Sequence, residues 1–258
     1  MARYIAVLSG KGGVAKTTTS INVGAAMSYF GKDVVVVDTN LTTPNVGLHL
    51  GAHVVPINLH HVLQGKNKML DAVYVHPQGT KIVPASISLF DLKKTGPDKL
   101  PVVVKELEKL NPDYVILDGA AGLGRETLRG LEACDDVIIV TNPELPAITD
   151  ALKTIKLAEE LNKNILGIVL TKTKKEYDDV SISNIEAMLE NPIIGIVPYD
   201  NSVRKSLVAK DAVVFTHPKS NAAIAYKKLV ASLIGQEYNE EIKQENFLKR
   251  LFKRFRDE

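Results

Sequence analysis

The chain has 258 residues, 45% of them hydrophobic, enough apolar material for one large α/β domain with its own core. A single cysteine, Cys134, excludes an internal disulfide and any Cys-x-x-Cys metal or cluster motif, and it fits a reducing cytoplasm. No apolar run approaches the roughly 20 residues a membrane-crossing helix needs, no secretory leader pattern opens the chain, and the formal net charge is only +2.

The first element is a β-rich run, Tyr4-Ile5-Ala6-Val7-Leu8. It leads into Ser9-Gly10-Lys11-Gly12-Gly13-Val14-Ala15-Lys16-Thr17-Thr18 and then into a helical stretch with Ile21, Val23, Ala25, Ala26 and Met27. Strand, glycine loop and helix come in the order a phosphate cradle requires. Glycines at 12 and 13 let backbone N–H groups turn toward an anion, Lys16 adds a point charge, and the helix start adds its dipole. The Thr17 hydroxyl is placed to ligate Mg²⁺. A chance glycine turn would lack the flanking strand, the helix and the Lys-Thr pair. Ala15 stands where the pattern G-x-x-x-x-G-K-[ST] has its second glycine, so a slightly crowded loop is expected.

Gly31 closes this helix, and Asp33-Val34-Val35-Val36-Val37-Asp38 reads as a buried parallel strand ending in a carboxylate, where ligands of open α/β sheets gather. Residues 39–45 are too polar and broken for a core element. Beyond them the pattern predicts a short helix over 59–63, a strand end at 72–75, a short strand at 81–84, and a helix over 97–110. Val102, Val103, Leu107 and Leu110 give that last helix its apolar face. His60 and His61 are adjacent, so on a helix they diverge and do not form a metal pair.

Tyr114-Val115-Ile116-Leu117-Asp118 is a Walker B strand, four apolar or aromatic positions running into a carboxylate that can hold Mg²⁺. Asp118 to Gly122 fits Asp-x-x-x-Gly, in which the glycine N–H can meet a γ-phosphate. Cys134, beside Asp135 and Asp136, reads as a small buried residue. Strands follow at 137–143, 165–170 and 193–197, with helices over 147–161 and 222–234. The face of the former is Ile148, Leu152, Ile155 and Ala158.

The end of the chain differs in charge from the rest. Residues 247–256 hold five basic side chains and no acidic one; without them, 27 basic residues face 30 acidic. On a helical projection Phe247, Leu248, Leu251, Phe252 and Phe255 share an arc of roughly 140°, and Lys249, Arg250, Lys253, Arg254 and Arg256 occupy the remainder. That segregation describes an interfacial helix. Docking of the Phe and Leu face on the body is an alternative, and DNA binding by the basic face is another, though it leaves three Phe and two Leu without a partner. The organisation read from this pattern is a domain over 1–235, a polar connector over 236–245 and an amphipathic helix over 246–258.

Lys11 together with Lys16, in Lys-Gly-Gly-x-x-Lys-Thr, resembles the deviant Walker ATPases, the family of MinD and ParA, and the terminal helix is similar to the MinD branch. The resemblance spans nearly the whole chain. It implies an α/β fold with a doubly wound, mainly parallel sheet flanked by helices, of the P-loop NTPase type. It also implies ATP and Mg²⁺ as cofactors, slow ATP hydrolysis, an ATP-dependent homodimer, a protein cargo or activator, and a peripheral place on the inner face of the cell membrane, with DNA disfavoured. Lys11 would reach across the dimer to the partner's ATP and act with Lys16, Asp38 and Asn40 in catalysis. Gly10, Lys11, Gly12, Gly13, Val14, Ala15, Lys16, Thr17, Thr18 and Gly122 would surround the phosphates, and Thr17, Asp38 and Asp118 the Mg²⁺. Thr171, Pro198 and Asp200 would lie at the adenine.

Two positions depart from the family pattern. Asn40 replaces the second Asp of Asp-x-Asp, and an amide can hold a water but not accept its proton, so turnover below ordinary enzymatic rates is expected. Thr171 replaces the Asn that usually reads adenine, so weaker base selectivity is expected. A nucleotide-binding scaffold with little turnover, or a ParA-like DNA-partitioning ATPase, are the alternative readings; strongly salt-dependent DNA binding without lipid binding would mark the second.

Overall fold

A computed structural model describes residues 2–174 and 180–238. In chain order, β1 (Arg3–Ser9) runs through the glycine loop to α1 (Lys16–Tyr29), then β2 (Val34–Asp38), α2 (Val46–His49) and α3 (Leu59–Leu63). A short hairpin-like pair, β3 (Tyr74–Val75) and β4 (Lys81–Val83), precedes α4 (Leu89–Lys94) and α5 (Leu100–Lys105). The second half is regular: β5 (Tyr114–Ala121), α6 (Arg125–Glu132), β6 (Asp136–Thr141), α7 (Leu145–Glu160), β7 (Asn164–Thr173), α8 (Ile182–Leu189) and β8 (Ile193–Pro198). Three helices close it, α9 (Asn201–Val208), α10 (Val213–Thr216) and α11 (Asn221–Leu233).

The strands form one eight-stranded sheet in the order β3-β4-β2-β5-β1-β6-β7-β8. Every neighbouring pair is parallel except β3 with β4. Because successive strand residues face opposite sides, Tyr4, Ala6 and Leu8 of β1 enter one core layer and Ile5 and Val7 the other. The first layer is covered by α3, α5, α6, α7 and α8, the second by α1, α10 and α11. Both sheet faces are therefore buried, which is why the central strands are continuous apolar runs rather than alternating ones. This is the doubly wound α/β architecture the alternation of elements predicts.

Topology places the site. The chain leaves β1, crosses through α1 and enters β2 on the far side of β5, whereas β6 lies on the other flank of β1. The ends of β1 and β5 thus lie where the winding reverses, the position at which open parallel sheets bind ligands. Register then sets the two carboxylates side by side, with Asp38 of β2 opposite Asp118 of β5.

The predicted helix over 97–110 is broken. A 3₁₀ turn (Pro97–Lys99), α5 and a second 3₁₀ turn (Glu106–Leu110) replace it, with Pro101 at the start of α5 removing a backbone donor. Of its expected apolar face, Val103 and Leu107 are buried and Leu110 packs against the core, while Val102 is 71% exposed; Leu100 and Val104 are buried in addition. The phase is set by Leu100, which the sequence reading left out. Walker B strand β5 extends past Asp118 to Ala121. The polar loop over 39–45 nonetheless gives a residue to the core, Leu41, and α2 follows it at once with Val46 fully buried. The amphipathic helix proposed for 246–258 lies outside the described residues, as does most of the 236–245 connector. Among the described residues, no helix is long and apolar enough to cross a membrane.

Candidate nucleotide site

Three donors from the first turns of α1 converge on one carboxylate. Lys16 Nζ lies 2.9 Å from Asp118 Oδ1, the Ser20 hydroxyl donates to the same oxygen at 2.8 Å, and the Thr17 hydroxyl donates to Oδ2 at 2.7 Å. All four side chains are buried. Residues 16, 17 and 20 share one helix face because they lie one, three and four positions apart, and that face meets the end of β5. The amides of Ala15 to Thr18 meet no protein acceptor among the described residues, as the first donors of an uncapped helix should not. An anion at this helix start would meet free N–H groups, the helix dipole and the Lys16 ammonium together.

Asp38 completes the polar centre. Its Oδ2 accepts from the amides of Asn45 at 2.8 Å and Val46 at 2.9 Å, fastening the loop after β2, while Oδ1 is buried with no partner among the described residues. Burial, and then the nearby negative charge of Asp118, push the Asp38 carboxyl above its ordinary value; Lys16 and the two amides only partly offset this. An orphaned carboxylate oxygen beside a second carboxylate and a hydroxyl is an all-oxygen donor set that suits a hard divalent cation. Among the described residues, no cluster of three or more His, Cys, Asp or Glu forms a closed metal site, so such a cation would be held jointly with its ligand's oxygens. His60 is buried, its Nδ1 accepting from the Ser86 amide at 3.1 Å, as a core histidine.

Above this centre opens a cavity of about 510 Å³. Gly12, Gly13, Ala15, Lys16, Thr17, Thr18 and Asn40 line it, together with Thr171, Pro198 and Asp200. Gly10, Lys11 and Val14 do not face it. Gly10 is pressed against α7, where an added Cβ would stand 2.2 Å from the Asp150 backbone. The Val14 side chain lies in the α1-side core. Lys11 Nζ pairs at 2.9 Å with Glu144, whose carboxyl this hydrogen bond holds below its usual range. Ala15 adopts φ 63°, ψ 30°, so the departure from glycine appears as backbone strain of roughly 1–2 kcal/mol rather than as side-chain crowding. Gly122, at φ 81°, donates its N–H to Ser9 at 2.9 Å and joins β5 to the base of the loop.

Asn40 is occupied locally. Its carbonyl oxygen accepts from the Thr43 amide and hydroxyl at 3.2 and 3.1 Å, and its amide donates to the Thr43 carbonyl at 2.8 Å. Asp200 is likewise structural: Oδ1 caps α9 at Ser202 and Oδ2 accepts from Ala222 at the start of α11. Burial would raise its carboxyl, but those amides outweigh it and hold the group below its ordinary value.

The sequence reading missed several wall residues. Val203, Arg204 and Leu207 of α9, Tyr226 of α11, His49 and Lys172 all line the cavity. Burial, followed by a smaller effect of Lys16, keeps the His49 imidazole low and so neutral, with Asp118 opposing. Val203 and Leu207 at i, i+4 were a visible signal, although nothing tied that helix face to a ligand. Ser20 was equally visible, four residues beyond Lys16.

A doubly wound sheet with a glycine loop at its winding reversal, and Lys, Thr and Asp meeting there, defines a phosphate-loop nucleotide-binding domain. The chain belongs to the CobQ/CobB/MinD/ParA nucleotide-binding family, whose sequence profile matches residues 5–213, and within it is MinD-like. It is 38% identical over 255 residues to an ATP-binding protein of Methanocaldococcus jannaschii, covering 98% of this chain and 96% of that one. The fold is similar to the septum site-determining protein MinD of Pyrococcus horikoshii, solved with Mg-ADP: TM-score 0.86, 32% identity, 90% of this chain and 96% of the other. It is also similar to MinD of Aquifex aeolicus in its complex with MinC, at TM-score 0.82 and 27% identity over 92% and 98% of the two chains.

Proposed function

We propose that the chain is an ATP-dependent dimerising switch that binds Mg²⁺·ATP at this site, settles on the inner membrane surface and positions a protein partner. The observation that carries the reading is the meeting of Lys16, Thr17 and Ser20 on Asp118 beside the unpaired Asp38 oxygen. With nucleotide present, the Lys16 ammonium would turn to phosphate oxygens and Thr17, Asp38 and Asp118 would hold Mg²⁺, which neutralises phosphate charge. The relatives that bind ATP or Mg-ADP support this. Lys11, held by Glu144 on the outside of the loop, is the residue we assign to the partner's phosphates in the dimer.

The membrane part rests on the sequence of 246–258. Roughly 1 kcal/mol per basic residue near an anionic surface, plus partial insertion of three Phe and two Leu, offsets the ordering of about ten residues only marginally. Two tails on one dimer bind with an avidity roughly 10² to 10⁴ higher, so nucleotide controls attachment through valency. Sedimentation with anionic liposomes tests it: ATP should carry the full chain into the pellet and ADP should not. A chain ending at Glu245 should stay in the supernatant. Equal pelleting with ADP and ATP at low protein concentration would end the valency mechanism.

A nucleotide-binding scaffold with little turnover is the second reading, favoured by the commitment of both ends of the Asn40 amide to Thr43. We expect basal hydrolysis below about 1 s⁻¹, raised by Asn40→Asp, as phosphate-release assays would read. A rate untouched by that change would remove Asn40 from the attacking water.

A further inference from the structure

We infer that the C-terminal end of β7 is a clamp that holds the phosphate loop in its anion-binding form, with Thr171 and Lys172 as positioning residues. The inference rests on the nucleotide reading of the site and adds what preorganises it. The Thr171 hydroxyl, buried, donates to the Val14 carbonyl at 2.8 Å and shares that proton with the Thr141 carbonyl at 3.1 Å. Its neighbour Lys172 donates from Nζ to the Gly13 carbonyl at 2.6 Å. Two successive side chains thus take two successive carbonyls of the loop.

Consecutive strand residues point to opposite faces and could not do this. The pairing of β7 with β8 slips between Thr171 and Thr173, and Lys172 sits in the left-handed region at φ 56°. A bulge of this kind re-aims a side chain, and here it brings Lys172 to the same loop as Thr171. The consequence follows from peptide planarity. The C=O of one residue and the N–H of the next point opposite ways, so drawing the Gly13 and Val14 carbonyls toward β7 turns the Val14 and Ala15 amides away from it. Gly13 at φ 82° and Ala15 at φ 63° curve the run of N–H groups between them as an anion nest requires. An alanine held left-handed persists only where its surroundings over-determine it, and the two clamp bonds fix the peptides on its N-terminal side. Thr171 therefore serves the phosphates through the loop and has no free proton for a base.

Two measurements on the full chain test the clamp. In nucleotide-free protein, Thr171→Val and Lys172→Met should shift or broaden the Val14 and Ala15 amide resonances. A residue that only touches ligand would leave them alone. By calorimetry with Mg²⁺ and ATP, GTP or inorganic tripolyphosphate, each variant should weaken all three by a common factor of roughly three to ten, with Thr171→Ser restoring wild-type affinity. Unchanged tripolyphosphate affinity, or a loss for ATP that GTP does not share, would overturn the clamp; so would wild-type Val14 and Ala15 resonances in both variants. Should Thr171→Val fail to fold by circular dichroism, the exposed Lys172→Met decides. A wild-type chain that binds no Mg²⁺·ATP would instead defeat the nucleotide reading, and the ligand-free resonances would still judge the clamp.

Discussion

Around the phosphate loop Lys16, Thr17, Ser20 and Asp118 are polar, buried and bonded to one another, whereas Val197, Pro198, Val203 and Leu207 on the cavity wall offer shape and apolar surface. The polar centre must place charge within tenths of an ångström, because an unpaired buried charge is costly. The apolar wall needs only to exclude water from a flat ring, which many residue combinations can do. The comparison predicts unequal damage on substitution.

Lys16→Ala should do most harm. It removes the phosphate-facing cation and leaves Asp118 buried with two hydroxyl donors, so stability should fall by roughly 3 kcal/mol. Calorimetry should find Mg²⁺·ATP binding abolished and thermal melts should find the loss of stability. If Leu207→Ala, on the apolar wall, weakened ATP binding as much, the contrast between polar centre and apolar wall would be broken.

Asp38→Asn sharpens the contrast by acting oppositely on stability and on ligand. The folded-state value of Asp38 is raised above its unfolded one, so the native protein binds the extra proton. Stability therefore falls as pH rises from about 4 through the folded value. Replacing the ionisable carboxyl removes this proton uptake on folding, so it should raise the melting temperature of the nucleotide-free protein near pH 7, flatten its fall with pH, and weaken Mg²⁺-dependent nucleotide binding. A melting temperature lowered at pH 7 would show that Asp38 is not strained in the free protein.

Asp200→Asn, also on the cavity wall, should have the smallest effect. Its carboxylate lies below its ordinary value, so its contribution is present above about pH 4 and is lost as pH falls through the folded value. Asparagine can still cap α9, and the expected cost at pH 7 is no more than about 1 kcal/mol. The variant should lose part of the acid limb expected in wild-type melts. ATP affinity changed tenfold would mean that Asp200 touches the nucleotide.

The same contrast explains what was legible in the sequence. The loop from Gly10 to Thr18 and the strand ending in Asp118 were readable because phosphate and Mg²⁺ chemistry restricts residue types at fixed spacing. The doubly wound, mainly parallel class followed from the alternation of elements, whereas the order of the strands did not and is seen only in the structure. The cavity wall on α9 and α11 was not readable, since Val203, Leu207 and Tyr226 look like any core residues until the sheet brings them opposite the loop. Lys172 escaped for a different reason: its task depends on a bulge, and a bulge leaves no periodic mark. The face around Val102 was misphased because Leu100 was left out: Leu100, Val103, Val104 and Leu107 keep helical spacing, and Val102 falls outside it.

Gly10 and Gly12 would look alike in any comparison of descendants, yet they answer to different constraints. A methyl at Gly10 would collide with the Asp150 backbone at 2.2 Å, while one at Gly12 meets nothing within 4 Å among the described residues. A lineage that gave up nucleotide would be released at position 12 and still confined at position 10, because the latter keeps α7 seated on the sheet. Glycine retained at both positions records binding, and glycine retained at 10 alone records only ancestry of the fold.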